Sequence, residues 1–201
     1  MSALLWIVVG FISGSLPFSV WLGKAFAHAD VRQVGDGNPG AANAWKAGGW
    51  RVGLTALILD YLKGALPVAA AHFVFHLSGW PLTLAAIAPV LGHAFSPFLN
   101  FHGGKGLTVT FGVWSGLTLA QAPLVLGLFM MLFYFIISVD AWAVVLSMLG
   151  LLANLVIQRA DVALLVVWLG NLAIIVWKHR RELRQGLRLK PTLSRRLFRR
   201  V

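Results

Sequence analysis

The sequence predicts an all-α membrane protein of seven transmembrane helices, with the N-terminus outside and the C-terminus cytoplasmic. Three observations predict it. Mean hydropathy is +0.81, far above that of an ordinary water-soluble domain, so lipid is the expected solvent. Charged residues make up 11% of the chain and gather in a few places, leaving long uncharged runs. Seven of those runs approach the roughly 20 apolar residues that a helical span needs, shorter ones being tolerated inside a bundle.

The first run, Leu4 to Gly23, is interrupted at Gly14-Ser15-Leu16-Pro17. Pro17 removes a backbone donor, which predicts a kink or break. A polar break within lipid must face protein or a water-filled cavity. Ser15 accordingly has two readings: it faces a site, or it bonds its own helix backbone. The opening residues show no basic stretch and no small-residue cleavage pattern, so this run is read as a retained span. A glycine-rich polar stretch, Lys24 to Arg51, follows. The second span, about Val52 to Phe75, carries Asp60 and Lys63 three apart on one helix face. Charges inside a span are paired or functional, and this pair reads either as a structural bridge or as support for a site. Further spans are expected at about Pro81–Leu99, Leu107–Leu119, Pro123–Ser138, Ala141–Ile157 and Val162–Trp177. Residues 1–177 thus form the membrane domain, and residues 178–201 form a basic tail interrupted by Pro191, whose first part suits an amphipathic helix at the headgroups and whose end suits a frayed or lipid-bound segment.

The formal charge of +11 comes largely from that tail. On a membrane protein it reads as a cytoplasmic anchor to anionic lipid, with no nucleic acid partner. Placing it in the cytoplasm and counting back through seven spans puts the Lys24–Arg51 loop, the Asn100–Gly106 loop and the Ser138–Ala141 turn on the same side. Among Lys and Arg residues, only Arg159 falls on the other side.

Two glycine-rich stretches thereby share one membrane face. The first is Gly35-Asp36-Gly37-Asn38-Pro39-Gly40-Ala41-Ala42-Asn43-Ala44-Trp45-Lys46. The second runs from Gly92-His93 to His102-Gly103-Gly104-Lys105-Gly106. Glycines bend the backbone and present bare N–H groups, while Asn38, Asn43, Lys46, His93 and Lys105 add donors or positive charge. Such a set suits an anionic, oxygen-rich ligand such as a phosphate ester, with Lys105 as its point charge. His179, at the cytoplasmic end of the last span, is a base or phosphate ligand, or else a cation favoured by the helix C-terminus. Neither a Walker nor a Rossmann pattern is present, and no Gly-x-Ser-x-Gly elbow supplies a nucleophile. The absence of cysteine removes thiol chemistry. His72 and His76 have the spacing of a helical metal pair but no glutamate beside them, so they read as interfacial. Direct transfer between two bound substrates, resting on position and charge, is the chemistry this set favours.

These residues resemble the bacterial acyl-phosphate:glycerol-3-phosphate acyltransferase family. The shared marks are Gly14-Ser15-Leu16-Pro17-Phe18, the Gly35–Asn43 stretch, Asp60-Tyr61-Leu62-Lys63-Gly64, and Leu91-Gly92-His93 leading to Gly103-Gly104-Lys105-Gly106, in order and across the whole chain. The resemblance implies seven spans in the bacterial inner membrane with cytoplasmic catalytic loops. It also implies acyl transfer from acyl phosphate to the sn-1 hydroxyl of glycerol 3-phosphate, giving lysophosphatidic acid for phospholipid synthesis. On this reading Lys105, His179 and Asp36 are the catalytic candidates. Ser15, Gly35, Gly37, Asn38, Asn43, Lys46, His93, Gly103 and Gly104 are the substrate-binding candidates. The chain departs from the pattern in five places. Asp36 stands where a phosphate-contacting serine is usual, Ala42 replaces a threonine, Lys46 replaces an arginine, and Glu182 replaces an asparagine. In the turn between spans five and six, Asp140 appears in place of a serine. A carboxylate facing a phosphate is repulsive unless a cation intervenes or it turns away. Asp36 is therefore a candidate general base for an acceptor hydroxyl. Two other readings stand beside the acyltransferase: a divergent member with a different acceptor, and a non-enzymatic transporter or lipid-binding protein, since broken helices and buried charge also suit transport.

Overall fold

The computed structural model describes residues 3–191, which are helical almost throughout. Two compact units divide it, Met1–Leu119 and Ala120–Val201. Among the described residues, five helical stretches are long and apolar enough to cross a membrane: Ala3–Ala27, Ala41–Val74, Gly79–Leu99, Asp140–Ile157 and Val162–Leu183. A shorter apolar helix covers Gln121–Ile136. Large apolar side chains such as Leu4, Leu66, Phe135 and Ile157 are exposed, an arrangement that lipid rather than water tolerates.

The first run is broken where proline predicts it. Helix α1 spans Ala3–Ser15 and α2 spans Phe18–Ala27, with Pro17 as the cap of α2. The Pro17 carbonyl accepts the Val20 and Trp21 amides at 3.0 and 3.1 Å. That leaves the Leu16 carbonyl without a helical partner, and Lys63 Nζ donates to it at 2.7 Å. Lys63 also pairs with Asp60 at 2.6 Å, both side chains at most 3% exposed. Asp60 in turn accepts the Ser19 hydroxyl at 2.9 Å. The cation thus sits at the C-terminal end of α1 and the carboxylate at the N-terminal end of α2, each favoured by the helix dipole it faces. The Asp60–Lys63 pair is a clamp across the break.

The second long helix begins earlier than hydropathy suggests. Helix α3 runs Ala41–Ala69, with non-helical Gly49 inside it, and continues as a wider π turn over Ala70–Val74. The expected Lys24–Arg51 loop shrinks to residues 28–40, because alanines and lysine in 41–47 form helix even where they are too polar to count as a span. Helix α4, Gly79–Ala94, packs on α1, and α5, Leu107–Thr118, packs on α3. Both contacts need bare backbone. A side chain at Gly14 or Gly92 would strike the main chain of Pro89 or Phe11, and one at Gly64 or Gly112 would strike that of Val109 or Tyr61.

The second unit holds α6 (Gln121–Ile136), α7 (Asp140–Ile157) and α8 (Val162–Leu183), with α7 packed on both others. Asp140 lies in the first turn of α7, where its charge meets the positive end of the helix. Helix α8 continues past the expected end at Trp177, to Leu183. Beyond it the basic segment is not an amphipathic helix. Gly186 turns it back, and Leu189 forms an antiparallel bridge with Ile137. Lys190 N donates to the Ile136 carbonyl and Ser138 N to that of Arg188, each at 2.9 Å. Strand-like pairing satisfies the backbone there better than an isolated turn of helix would. The expected frayed, lipid-bound end of the tail lies outside the described residues.

Candidate active site

The site is built from two loops of the first unit that share one apolar floor. Val20 of α2, Val31 of the first loop, Ala44, Val52 and Ala56 of α3, and Leu99 of the second loop form a single buried cluster. Ahead of the first glycine motif, His28 ends α2 in a left-handed conformation. Asp30 then caps a short 3-10 turn, Val31–Gln33, by accepting the Arg32 amide at 3.0 Å. Arg32 also grips Asp30 side chain to side chain, which holds the Asp30 carboxyl down at about 2. That turn fixes Val31 in the floor.

Beyond it, Gly35 and Gly37 both take positive φ, 61° and 74°, a conformation that favours glycine. Between them Asp36 is turned toward the second loop. Its Oδ1 accepts the Asn43 side-chain amide at 2.8 Å and the Asn38 backbone amide at 3.2 Å. Its Oδ2 accepts Lys105 Nζ at 2.7 Å. Asn43 is buried in the first turn of α3 and also donates to the Asn38 carbonyl at 2.9 Å. One turn further on, Lys46 Nζ comes within 2.9 Å of where a Gly35 side chain would begin. No side chain caps the N-terminus of α3 at Gly40.

Partial burial pushes the Asp36 carboxyl up. Hydrogen bonds from Lys105, the Asn38 amide and Asn43, together with the Lys105 charge, overcome that and hold it at about 2.

The second loop leaves α4 through a 3-10 turn, Pro97–Leu99, followed by left-handed Asn100 and Phe101. It is tied back at two points. Ser96 Oγ donates to the Ser15 carbonyl at 2.5 Å, and Gly104 N donates to the His93 carbonyl at 3.1 Å. A side chain at Gly103 would run into that same carbonyl, and one at Gly104 into the His93 ring. The glycine pair is therefore what lets the loop close against His93 on the way to Lys105, which reaches Asp36. Gly106, at φ 82°, then starts α5.

Beside this junction lies a narrow cleft of about 170 Å³, counting its open mouth, with Ser15, Pro17, Lys63, His93, Ser96 and Gly104 among its lining residues. Ser15 bonds its own helix backbone, its hydroxyl donating to the Phe11 carbonyl at 2.7 Å, and it is among the residues that line the cleft. His179 lies in the second unit, buried on α8, with Nδ1 2.9 Å from the Ile175 carbonyl one turn back. Among the described residues, no three His, Asp or Glu side chains come together as metal ligands do. Sequence reasoning gave no role to Ser96, which fastens the second loop to the broken first span. A lone serine ahead of a proline carries no signal of an 81-residue reach.

The glycerol-3-phosphate acyltransferase family model matches residues 4–188. Glycerol-3-phosphate acyltransferase 1 of Thermotoga maritima is 38% identical over 198 residues, covering 90% of this chain and 96% of its own. The glycerol-3-phosphate acyltransferase of Limosilactobacillus reuteri is 31% identical, covering 93% of this chain and 88% of its own. Among solved structures, PlsY, an integral membrane glycerol 3-phosphate acyltransferase, matches in its glycerol 3-phosphate form with a TM-score of 0.80 at 30% identity, over 98% of this chain and all of that one. Its lysophosphatidic acid form matches with a TM-score of 0.79 at 26% identity, over all of this chain and 94% of that one. With this match along nearly its whole length, the chain belongs to the glycerol-3-phosphate acyltransferase family.

Proposed function

We propose that this protein transfers a fatty acyl group from acyl phosphate to the sn-1 hydroxyl of glycerol 3-phosphate, releasing inorganic phosphate and lysophosphatidic acid. The observation that carries the reading is the meeting of the two glycine loops at Lys105 and Asp36, 2.7 Å apart, in a chain of this family. In the reaction the hydroxyl oxygen bonds to the acyl carbonyl carbon, the bond from that carbon to the phosphate oxygen breaks, and the departing phosphate carries off the proton. Both substrates are anionic, so fixed positive charge is the main requirement. Lys105 neutralises the phosphate that leaves or the oxyanion that forms, and Lys46 adds a second cation. Asn38, Asn43, His93 and the bare amides of Gly35, Gly37, Gly103 and Gly104 hold phosphate oxygens, and Ser15 lines the approach. For His179, on α8, the proposal is a phosphate ligand or base. No metal or cofactor is needed for these steps.

The proposal extends to the membrane: seven crossings, N-terminus outside, both glycine loops at the cytoplasmic face of the bacterial inner membrane. Helix α5, at 12 residues, rises only about 18 Å, so it crosses as a short span shielded by neighbours. The chemistry is tested with purified protein, palmitoyl phosphate and labelled glycerol 3-phosphate. Wild type is expected to form lysophosphatidic acid, and Lys105→Ala to lose about a hundred-fold or more in rate. Equal rates in the two proteins overturn the assignment.

A further inference from the structure

Asp36 already satisfies the donors that a phosphate would seek. One oxygen takes the Lys105 ammonium at 2.7 Å, and the other takes the Asn43 amide at 2.8 Å and the Asn38 N–H at 3.2 Å. Those donors come from both glycine loops and converge on one carboxylate, much as they would on the oxygens of a bound anion. The carboxylate is also open to an incoming ligand. It is about half exposed, 47% at the side chain, and hangs from a turn flanked by two positive-φ glycines. A phosphate dianion arriving at Lys105 meets this negative charge first, and like charges at contact distance repel.

We propose that Asp36 is an internal stand-in for the substrate phosphate: it occupies the Lys105–Asn38–Asn43 donor set at rest, glycerol 3-phosphate must displace it, and it thereby sets the protein's affinity for that ligand. The inference rests on the acyltransferase reading only for the identity of the phosphate ester. It gives Asp36 a positioning role through Lys105, in place of the proton-accepting role. A carboxylate with both oxygens engaged by donors is poorly placed to take a proton from a hydroxyl.

Titration calorimetry on the full-length protein in lipid nanodiscs, without acyl donor, separates the possibilities. The probes are glycerol 3-phosphate and, in parallel, inorganic phosphate. The proteins are wild type, Asp36→Asn, Asp36→Ser and the Asp36→Asn/Lys105→Met double variant. Removing a partly exposed internal competitor should lower Kd roughly three- to ten-fold in both neutral variants. The gain should shrink when Lys105 is also removed, because the two residues act as one unit. The KM for glycerol 3-phosphate should fall in step. A Kd unchanged or raised in both neutral variants overturns the proposal. So does a drop of about a hundred-fold in kcat at unchanged Kd, the signature of an essential base. If inorganic phosphate shows the gain while glycerol 3-phosphate neither binds nor is acylated, the stand-in survives and the acyltransferase reading fails.

Discussion

At Asp36 the direction of the pKa shift has a consequence that can be read on a pH axis. The folded carboxyl sits at about 2, below its ordinary 3.8. A depressed acid contributes stability that is complete above its unfolded value and disappears as pH falls toward its folded one. The Asp36 side of the Asp36–Lys105 pair is therefore fully charged through the neutral range and loses that charge as pH falls between about 4 and 2. The ratio of wild-type to Asp36→Asn KM values for glycerol 3-phosphate should accordingly stay flat from about pH 7 to 8.5, above the second ionisation of a phosphate monoester at about 6. Activity measured across that range checks it, and a ratio that moves near neutrality would implicate a different ionisation. Lys46, which lies by Gly35, is the other cation facing this turn. Sequence reasoning reached the residues of this pair but not the pair. Glycine content and charge marked both stretches as anion-binding, yet the 69 positions between Asp36 and Lys105 carry no periodicity that would join them. Only the fold supplies that contact.

At the level of helices, the break at Pro17 and the buried Asp60–Lys63 pair are one device. At the break the Val20 amide turns to the Pro17 carbonyl and leaves that of Leu16 without a helical donor, and the lysine satisfies it while remaining paired. Removing one partner strands a charge in a lipid-surrounded interior, which costs about 3–5 kcal/mol in comparable buried pairs. Lys63→Met should therefore lower Tm markedly in a detergent melt, since it leaves Asp60 without its cation and the Leu16 carbonyl without its donor. A change of less than about 2 °C would contradict the clamp. The break was readable from Pro17 itself, because a missing donor is a property of one residue. Helix ends were less readable. Ala41–Arg51 is helical although polar, because hydropathy reports the solvent around a segment and not its backbone. The turn-back after α8 was hidden for a related reason: backbone pairing between Leu189 and Ile137 leaves little trace in side-chain pattern.

For the whole molecule, the orientation proposed above rests on where basic residues fall, and the chain offers a clean way to test it. It contains no cysteine, so a single introduced thiol reports alone. His102→Cys, in the exposed second loop, should react with a membrane-impermeant maleimide in inside-out vesicles and stay protected in spheroplasts. Arg159→Cys, at the exposed end of α7, should do the reverse. Labelling of both from one side would remove the seven-crossing arrangement, and an exchanged pattern would invert it. The family and the all-helical class were legible from the ordered motifs and the hydropathy; the depth and shortness of particular helices were not, since packing against glycine-lined neighbours decides them. The floor shared by Val31 and Leu99 reaches further than geometry. A plug of six apolar side chains has no separable halves, so thermal loosening that lifts one bend lifts the other. Any ligand that steadies the first bend is therefore expected to steady the second without touching it, and the proposed grip on phosphate would form or fail as a single cooperative patch.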